Sequence, residues 1–355
     1  MRVSEQPPDL VRVAPAEPGL SRRRRGRGWS FAEVDGSPVT DPSTIARIKG
    51  LVIPPAWQDV WICPDPAGHI QAVGTDAAGR RQYLYHEEWR RGRDREKHQR
   101  VLELGQSLAD VRREVLTRLG QPGLGRDRVL AAGVRMLDIG VFRPGGEQYA
   151  PGDEEDEEGT FGLATIRREH VSLRRGAVLF SYPAKGGIPR SVSLKDPPLH
   201  RVCNSLLRRR GGGEDLLAYR VMKDWFDVRA EHLNEAVKEL AGEEYTCKDL
   251  RTWNATVLAA VTLATAVAED GTPRSQRARK RYERRAAVAV SEHLGNTPTV
   301  ARASYIDPRV LERFEDGRTV LPELRKIGEA AAGSELLDDA TRAAIERAVV
   351  AMISD

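Results

Sequence analysis

The spacing of apolar residues changes near residue 100, and a chain with such a change folds as two dissimilar parts. Before it, the short β-prone runs Val60-Trp61-Ile62-Cys63, His69-Ile70-Gln71-Ala72-Val73 and Gln82-Tyr83-Leu84-Tyr85 alternate with turn clusters at 64–68 and 76–79. That pattern predicts a small antiparallel sheet, closed by a charged helix over 86–100. After it, Leu102, Leu104, Leu108, Val111, Val115 and Leu119 follow helical spacing up to the stop Gly120-Gln121-Pro122-Gly123. A second helix is expected over 127–137. Three strands follow over 162–193, with turns at Arg175-Gly176 and Lys185-Gly186-Gly187. Helices are expected over 199–210, 228–241, 247–268 and 273–294. The expected class is α+β: a small β-rich N-terminal domain over 28–100, then a larger mainly α-helical domain with a small antiparallel sheet over 101–355. The first 27 residues read as a flexible basic arm, and the acidic run at 153–158 as a solvated loop.

At 355 residues there is enough chain for two cores. No apolar run approaches the roughly 20 residues of a membrane span, and the N-terminus lacks an apolar signal region. The expected setting is cytoplasmic, on the nucleoid. Net charge is only +4, but its distribution is uneven. Residues 1–28 hold seven arginines against three acids, and residues 80–100 hold eight bases against four acids with Tyr83, Tyr85 and Trp89 interleaved. Residues 319–355 reverse the sign, with seven acids against four bases. Basic stretches with interleaved aromatics suit a surface that follows phosphates, although such runs also occur as plain solvated faces.

Several chemistries are excluded by missing signatures. There is no phosphate loop of the G-x-x-x-x-G-K-[ST] kind, no H-E-x-x-H and no G-x-S-x-G. Gly211-Gly212-Gly213 lacks the strand-before, helix-after context of a nucleotide loop. The three cysteines, Cys63, Cys203 and Cys247, form no C-x-x-C pair and read as buried thiols. No metal site, cofactor or nucleotide is indicated.

What remains is a set of cations and polar groups around one tyrosine. They are Arg143 in Phe142-Arg143-Pro144-Gly145, Lys185 at a hairpin turn, Lys248 and Arg251 in Lys248-Asp249-Leu250-Arg251-Thr252-Trp253, Asn296 in Gly295-Asn296-Thr297-Pro298, and Tyr305 in Arg302-Ala303-Ser304-Tyr305. Each has a plain alternative. Arg251 could pair with Asp249 or Glu244, Lys185 could decorate a turn, Gly-Asn-Thr-Pro could be a helix end, and Tyr305 could be a packing residue. What argues against these readings is their joint occurrence in one order.

That order resembles the type IB DNA topoisomerases, in the bacterial branch allied to the poxvirus enzymes. The resemblance covers about residues 28–316. It is carried by Ile53-Pro54-Pro55-Ala56-Trp57-Gln58-Asp59-Val60-Trp61, by Gly79-Arg80-Arg81-Gln82-Tyr83-Leu84-Tyr85-His86, and by the motifs at 248–253 and 295–298, with a tyrosine nine positions after the Asn. It implies a C-shaped monomeric clamp on duplex DNA. Supercoils of either sign would be relaxed through a 3′-phosphotyrosyl intermediate, without ATP or metal. Tyr305 would be the nucleophile and Lys185 the general acid, with Lys248 as a possible assisting cation. Arg143, Arg251 and Asn296 would bind the nonbridging oxygens, a task that suits guanidinium forks because they stay charged. Arg80, Gln82, Tyr83, Tyr85, Gly145 and Tyr149 match DNA-contact positions, although Tyr83 and Tyr85 equally suit a sheet core. Poxvirus and eukaryotic relatives carry histidine where this chain has Asn296, so no ionisable imidazole is expected there. His293 lies three residues earlier.

Two rival functions fit parts of the pattern. Tyrosine recombinases use a similar Arg, Lys, Arg and Tyr set, but usually with His where Lys248 stands and with a helical N-terminal domain. A nonenzymatic DNA-binding protein would account for the charge and leave Tyr305 unused.

Overall fold

A computed structural model describes residues 10–146, 159–185, 187–327 and 338–354. The chain forms two compact units, residues 1–97 and 98–355.

The first unit is built on five antiparallel strands in the order β2-β1-β3-β4-β5. These are β1 (Leu20–Arg25), β2 (Gly28–Ala32), β3 (Gln58–Ile62), β4 (Ile70–Thr75) and β5 (Arg81–Tyr85), with helix α1 (Pro42–Gly50) between β2 and β3. Pro42 opens α1, and Asp41 caps it by accepting the Thr44 N–H at 2.7 Å. Leu20, Phe31, Val39, Ile48, Val60, Ile62 and Ala72 form the core of this unit.

The arginine run corrects the expectation of a flexible arm over 1–27. Leu20 and Ser21 pair with β3, while Arg22 to Arg25 pair only with β2. The run therefore continues as a two-stranded ribbon beyond the sheet. Arg22 is held by the carbonyls of Ile53, Pro54 and Trp57, and its guanidinium lies 4.0 Å from the Trp29 ring centre. Polybasic composition masked a strand whose first residue is core and whose first arginine is hydrogen-bonded.

Helix α2 (Glu87–Leu119) is one continuous element where two had been expected, because nothing in residues 86–101 breaks a helix. In the second unit it packs with α3 (Arg126–Gly140), which ends at Val141 in a left-handed conformation (φ 50°). Two short 3-10 turns then lead into a three-stranded antiparallel sheet, β6 (Val171–Arg174), β7 (Ala177–Ala184) and β8 (Ile188–Leu194). Next come α4 (Pro197–Arg208), a hairpin of β9 (Ala218–Val221) and β10 (Asp224–Asp227), then α5 (Ala230–Ala241), α6 (Cys247–Asp270) and α7 (Gln276–Leu294). The chain finishes through α8 (Pro298–Ser304), α9 (Pro308–Glu315), α10 (Leu321–Ile327) and α11 (Asp339–Ser354). The β9–β10 hairpin was not expected: its strands have four residues each, too few to show a period.

Helix α6 is the axis of the second core. Trp253 on it is fully buried against Gly105 of α2, where a Cβ would stand 2.5 Å from the indole. Truncating a Trp packed this way costs about 3–5 kcal/mol. A buried ion network fixes α11: Arg112 bonds both Asp138 and Glu346, Arg342 bonds Asp138, and Arg135 bonds Asp196 and Asp339.

Candidate active site

Four segments meet at the end of α6, and main-chain carbonyls bind them together. Arg251, on the second turn of α6, is 2% exposed. It donates to the Val141 carbonyl beyond α3 and to the Leu294 carbonyl at the end of α7, the latter at 3.0 Å. Arg143, two residues past Val141, donates to the Gly295 carbonyl at 3.1 Å. Arg190 on β8 donates to the carbonyls of Gly140, Val141 and His293 at 3.0, 3.2 and 3.2 Å. Among the described residues none of these three arginines has a carboxylate partner. Asp249, one of the two acids offered as a plain ion-pair alternative for Arg251, instead accepts from Arg100 at 2.9 Å and closes a capping box with Thr246.

The loop that carries Arg143 is clamped from below. The Arg143 and Pro144 carbonyls accept the N–H groups of Leu163 and Ala164, each at 2.8 Å. Gly145 (φ +81°) lies so close to Gly162 that a Cβ would meet its Cα at 2.7 Å. Gly145 therefore has a backbone reason to be glycine. Tyr149 and the acidic run at 153–158 lie outside the described residues.

Gly295-Asn296-Thr297-Pro298 is a helix end and a helix start at once. Gly295 closes α7 in the left-handed region (φ 63°), and Thr297 caps α8 with Pro298 in its first turn. Between the two caps, the Asn296 side chain has both its amide nitrogen and its amide oxygen buried, with no hydrogen-bond partner among the described residues. Buried amides normally find partners, which sets Asn296 apart from most buried polar side chains here. Tyr305 follows α8 and is 9% exposed. Its carbonyl accepts from Thr256, one turn beyond Thr252 on α6, and Thr256 also accepts the Asp307 N–H. The Arg251 guanidinium carbon lies 5.8 Å from the Tyr305 ring centre.

Burial, then the cations of Arg143 and Arg190, lower the Arg251 pKa to about 10, against the opposing influence of Tyr305. The group still carries its charge at neutral pH. Protein packed around the ring, then Arg190, Arg251 and Arg342, push His293 down to about 4, although the residue keeps solvent access. At neutral pH that imidazole is uncharged.

The structure thus gathers Arg143, Arg251, Asn296 and Tyr305, and adds Arg190, which the sequence reading missed. The available signal was its place five residues after Lys185 on the same hairpin. Lys185 stands exposed at the β7–β8 turn and Lys248 exposed in the first turn of α6, with no bond to this cluster among the described residues. In the first unit Tyr83 and Tyr85 are each 40% exposed, with ring centres 6.1 Å apart, so the core reading fails for both. Gln82 has the opposite strand parity. It and Arg80 bond Asp76, at 2.9 and 3.1 Å.

Two family models match the chain. The bacterial DNA topoisomerase IB N-terminal domain matches residues 28–76, and the eukaryotic DNA topoisomerase I catalytic core matches residues 86–325. The DNA topoisomerase 1B of Acanthamoeba polyphaga mimivirus is 26% identical over 307 residues, covering 84% of this chain and 88% of that protein. With more than half its length matched by the catalytic core, the chain belongs to the type IB DNA topoisomerases, DNA-binding isomerases.

Proposed function

We propose that the protein relaxes positive and negative supercoils by cutting and resealing one strand of duplex DNA, with Tyr305 as nucleophile. The observation that carries this reading is Arg251 beside Tyr305, joined through shared turns to Arg143 and Arg190, with no carboxylate partner for these three guanidiniums and no partner for the Asn296 amide among the described residues. Three cations and an open amide make a site for a phosphodiester, which brings the missing negative charge.

In the proposed step the Tyr305 oxygen bonds to phosphorus and gives up its proton to solvent water, the bond to the 5′-oxygen breaks, and Lys185 protonates that leaving oxygen. Such proton transfer is typically worth about 10²–10⁴-fold. Arg143, Arg251 and Asn296 hold the nonbridging oxygens, and each preorganised donor is commonly worth roughly 3–4 kcal/mol. Arg190 acts at one remove, by fixing the turns that present Arg143 and Asn296. Lys248, three residues before Arg251 on α6, is the assisting cation. The free 5′ end then swivels about the intact strand, and its hydroxyl attacks the phosphotyrosyl bond in the reverse reaction. Because that bond conserves the energy of the broken one, the cycle needs no ATP; guanidinium charge does the work that a metal would otherwise do.

Duplex DNA is held by Arg80, Gln82, Tyr83 and Tyr85, with Gly145 and Tyr149. One monomer suffices, acting on the nucleoid in the cytoplasm. A recombinase function has less support, since Lys248 occupies the usual histidine position and the first unit is an antiparallel sheet.

The test is relaxation of negatively and positively supercoiled plasmid in EDTA without ATP. Wild type is expected to relax both, and Tyr305→Phe neither while still binding DNA. Relaxation by the Tyr305→Phe variant would remove Tyr305 from the chemistry, and inert wild type would remove the relaxation reading.

A further inference from the structure

The first half of α7 carries more positive charge than its own fold explains. Arg277, Lys280, Arg281 and Arg284 are all exposed, and none has a carboxylate partner among the described residues. At 100° per residue they fall within roughly 100° of the helix circumference. The core face of the helix, Tyr282, Ala286, Val290 and Leu294, points the other way.

This stripe works against the helix. The four bases stand three or four positions apart, a spacing at which like charges repel by a few tenths of a kcal/mol per pair. Arg277 lies in the first turn, which contains no acid, where the helix dipole disfavours cations. Nearby carboxylates are engaged elsewhere: Glu283 with Arg302 at 2.7 Å, and Glu269 and Asp270 with Arg285 at 2.6 and 3.9 Å.

We infer that this stripe of α7 is a phosphate-contact surface for the duplex being cleaved, on the helix whose C-terminal cap, Gly295, precedes Asn296. This deepens the function proposed above and rests on it. The chemistry matched is a row of phosphates, read by charge and without sequence preference. The choice of that duplex follows from the helix itself. At 1.5 Å per residue, Arg284 and Arg277 stand about 18 and 29 Å along the chain axis from Asn296. The contacts therefore fall within about ten base pairs of the cut, at 3.4 Å per step.

The test is binding of a 40-base-pair duplex across a salt series, comparing the full chain with R277Q/K280Q/R281Q/R284Q. Each phosphate contact contributes about 0.9 to the slope of log affinity against log salt. The variant is expected to bind more weakly, with a slope shallower by about 2–4. Its single-turnover cleavage at saturating DNA should stay within about twofold of wild type, since none of the four residues is at the reaction centre. Should the fourfold variant be unstable, R277Q/R281Q and K280Q/R284Q are each expected to give about half the slope change. An unchanged slope would make the stripe a solvated face and overturn the inference. So would a loss confined to capture of a second duplex by protein already bound to one. Binding is read without chemistry, so a protein inert in relaxation would overturn the proposed reaction and leave this measurement interpretable.

Discussion

Two sets of three arginines lie in the second unit, and they are bound in opposite ways. Arg112, Arg135 and Arg342 meet Asp138, Asp196, Asp339 and Glu346. Arg143, Arg190 and Arg251 meet carbonyl oxygens of Gly140, Val141, His293, Leu294 and Gly295. Burial acts to lower the guanidiniums of Arg112, Arg135, Arg190 and Arg251. For Arg112, Asp138 and Glu346 outweigh burial and raise it above its ordinary value; for Arg251, burial and neighbouring cations win and lower it. Asp138 shows the same balance from the other side. Burial pushes its carboxyl up, but Arg342 and Arg112 hold it well below the usual range. A carbonyl fixes the position of a guanidinium and leaves its charge available, whereas a carboxylate also neutralises it. The first set closes a fold, and the second keeps its charge available for the phosphodiester proposed above.

The largest effect expected from this contrast is on stability. Arg112→Ala strands Asp138 and Glu346 in a buried site and should cost about 3–5 kcal/mol in denaturant unfolding. The folded fraction should cleave DNA at the wild-type rate; a specific loss of cleavage with unchanged stability would erase the distinction between the two sets. Next comes Arg251→Ala, expected to slow single-turnover cleavage by about 10²–10³-fold through loss of a preorganised donor. Its stability should fall by less than that of Arg112→Ala, because no buried carboxylate is left unpaired. A larger stability loss with cleavage intact would place Arg251 in the structural set. The smallest effect concerns His293 and Asn296. Because the folded pKa of His293 lies below its ordinary 6.5, any stability tied to that residue is complete above pH 6.5. It is lost as pH falls from there towards 4. The imidazole should stay neutral in an NMR titration down to about pH 5, and cleavage should show no inflection near 6.5. Such an inflection, abolished by Asn296→Ala or His293→Ala, would make an ionisable group part of the reaction.

Motifs with fixed local geometry were legible before folding. In Gly295-Asn296-Thr297-Pro298 the helix end was legible, because a glycine closes α7 in the left-handed region, whereas the start of α8 at Pro298 was not expected. Lys185 was placed at the β7–β8 turn because the flanking strands alternate and the glycines mark the reversal. Arg190 was not legible, because a strand arginine gives no sign that its fork will reach carbonyls 50 and 103 positions away. The β1 strand was hidden for a related reason. Four consecutive arginines carry the composition of a tail, and only pairing with β2 and β3 reveals the strand.

By itself, the sequence determined the change from β to helical periodicity, the helix boundaries set by Gly, Pro and capping residues, and the order of the candidate site residues. These depend on neighbours a few positions apart. The tertiary structure decided which arginines are neutralised, that Asn296 has no side-chain partner among the described residues, and that Tyr305 is anchored to the helix carrying Arg251. Pairing and burial are properties of atoms brought together from distant parts of the chain, and no local pattern encodes the charge that remains once they have met.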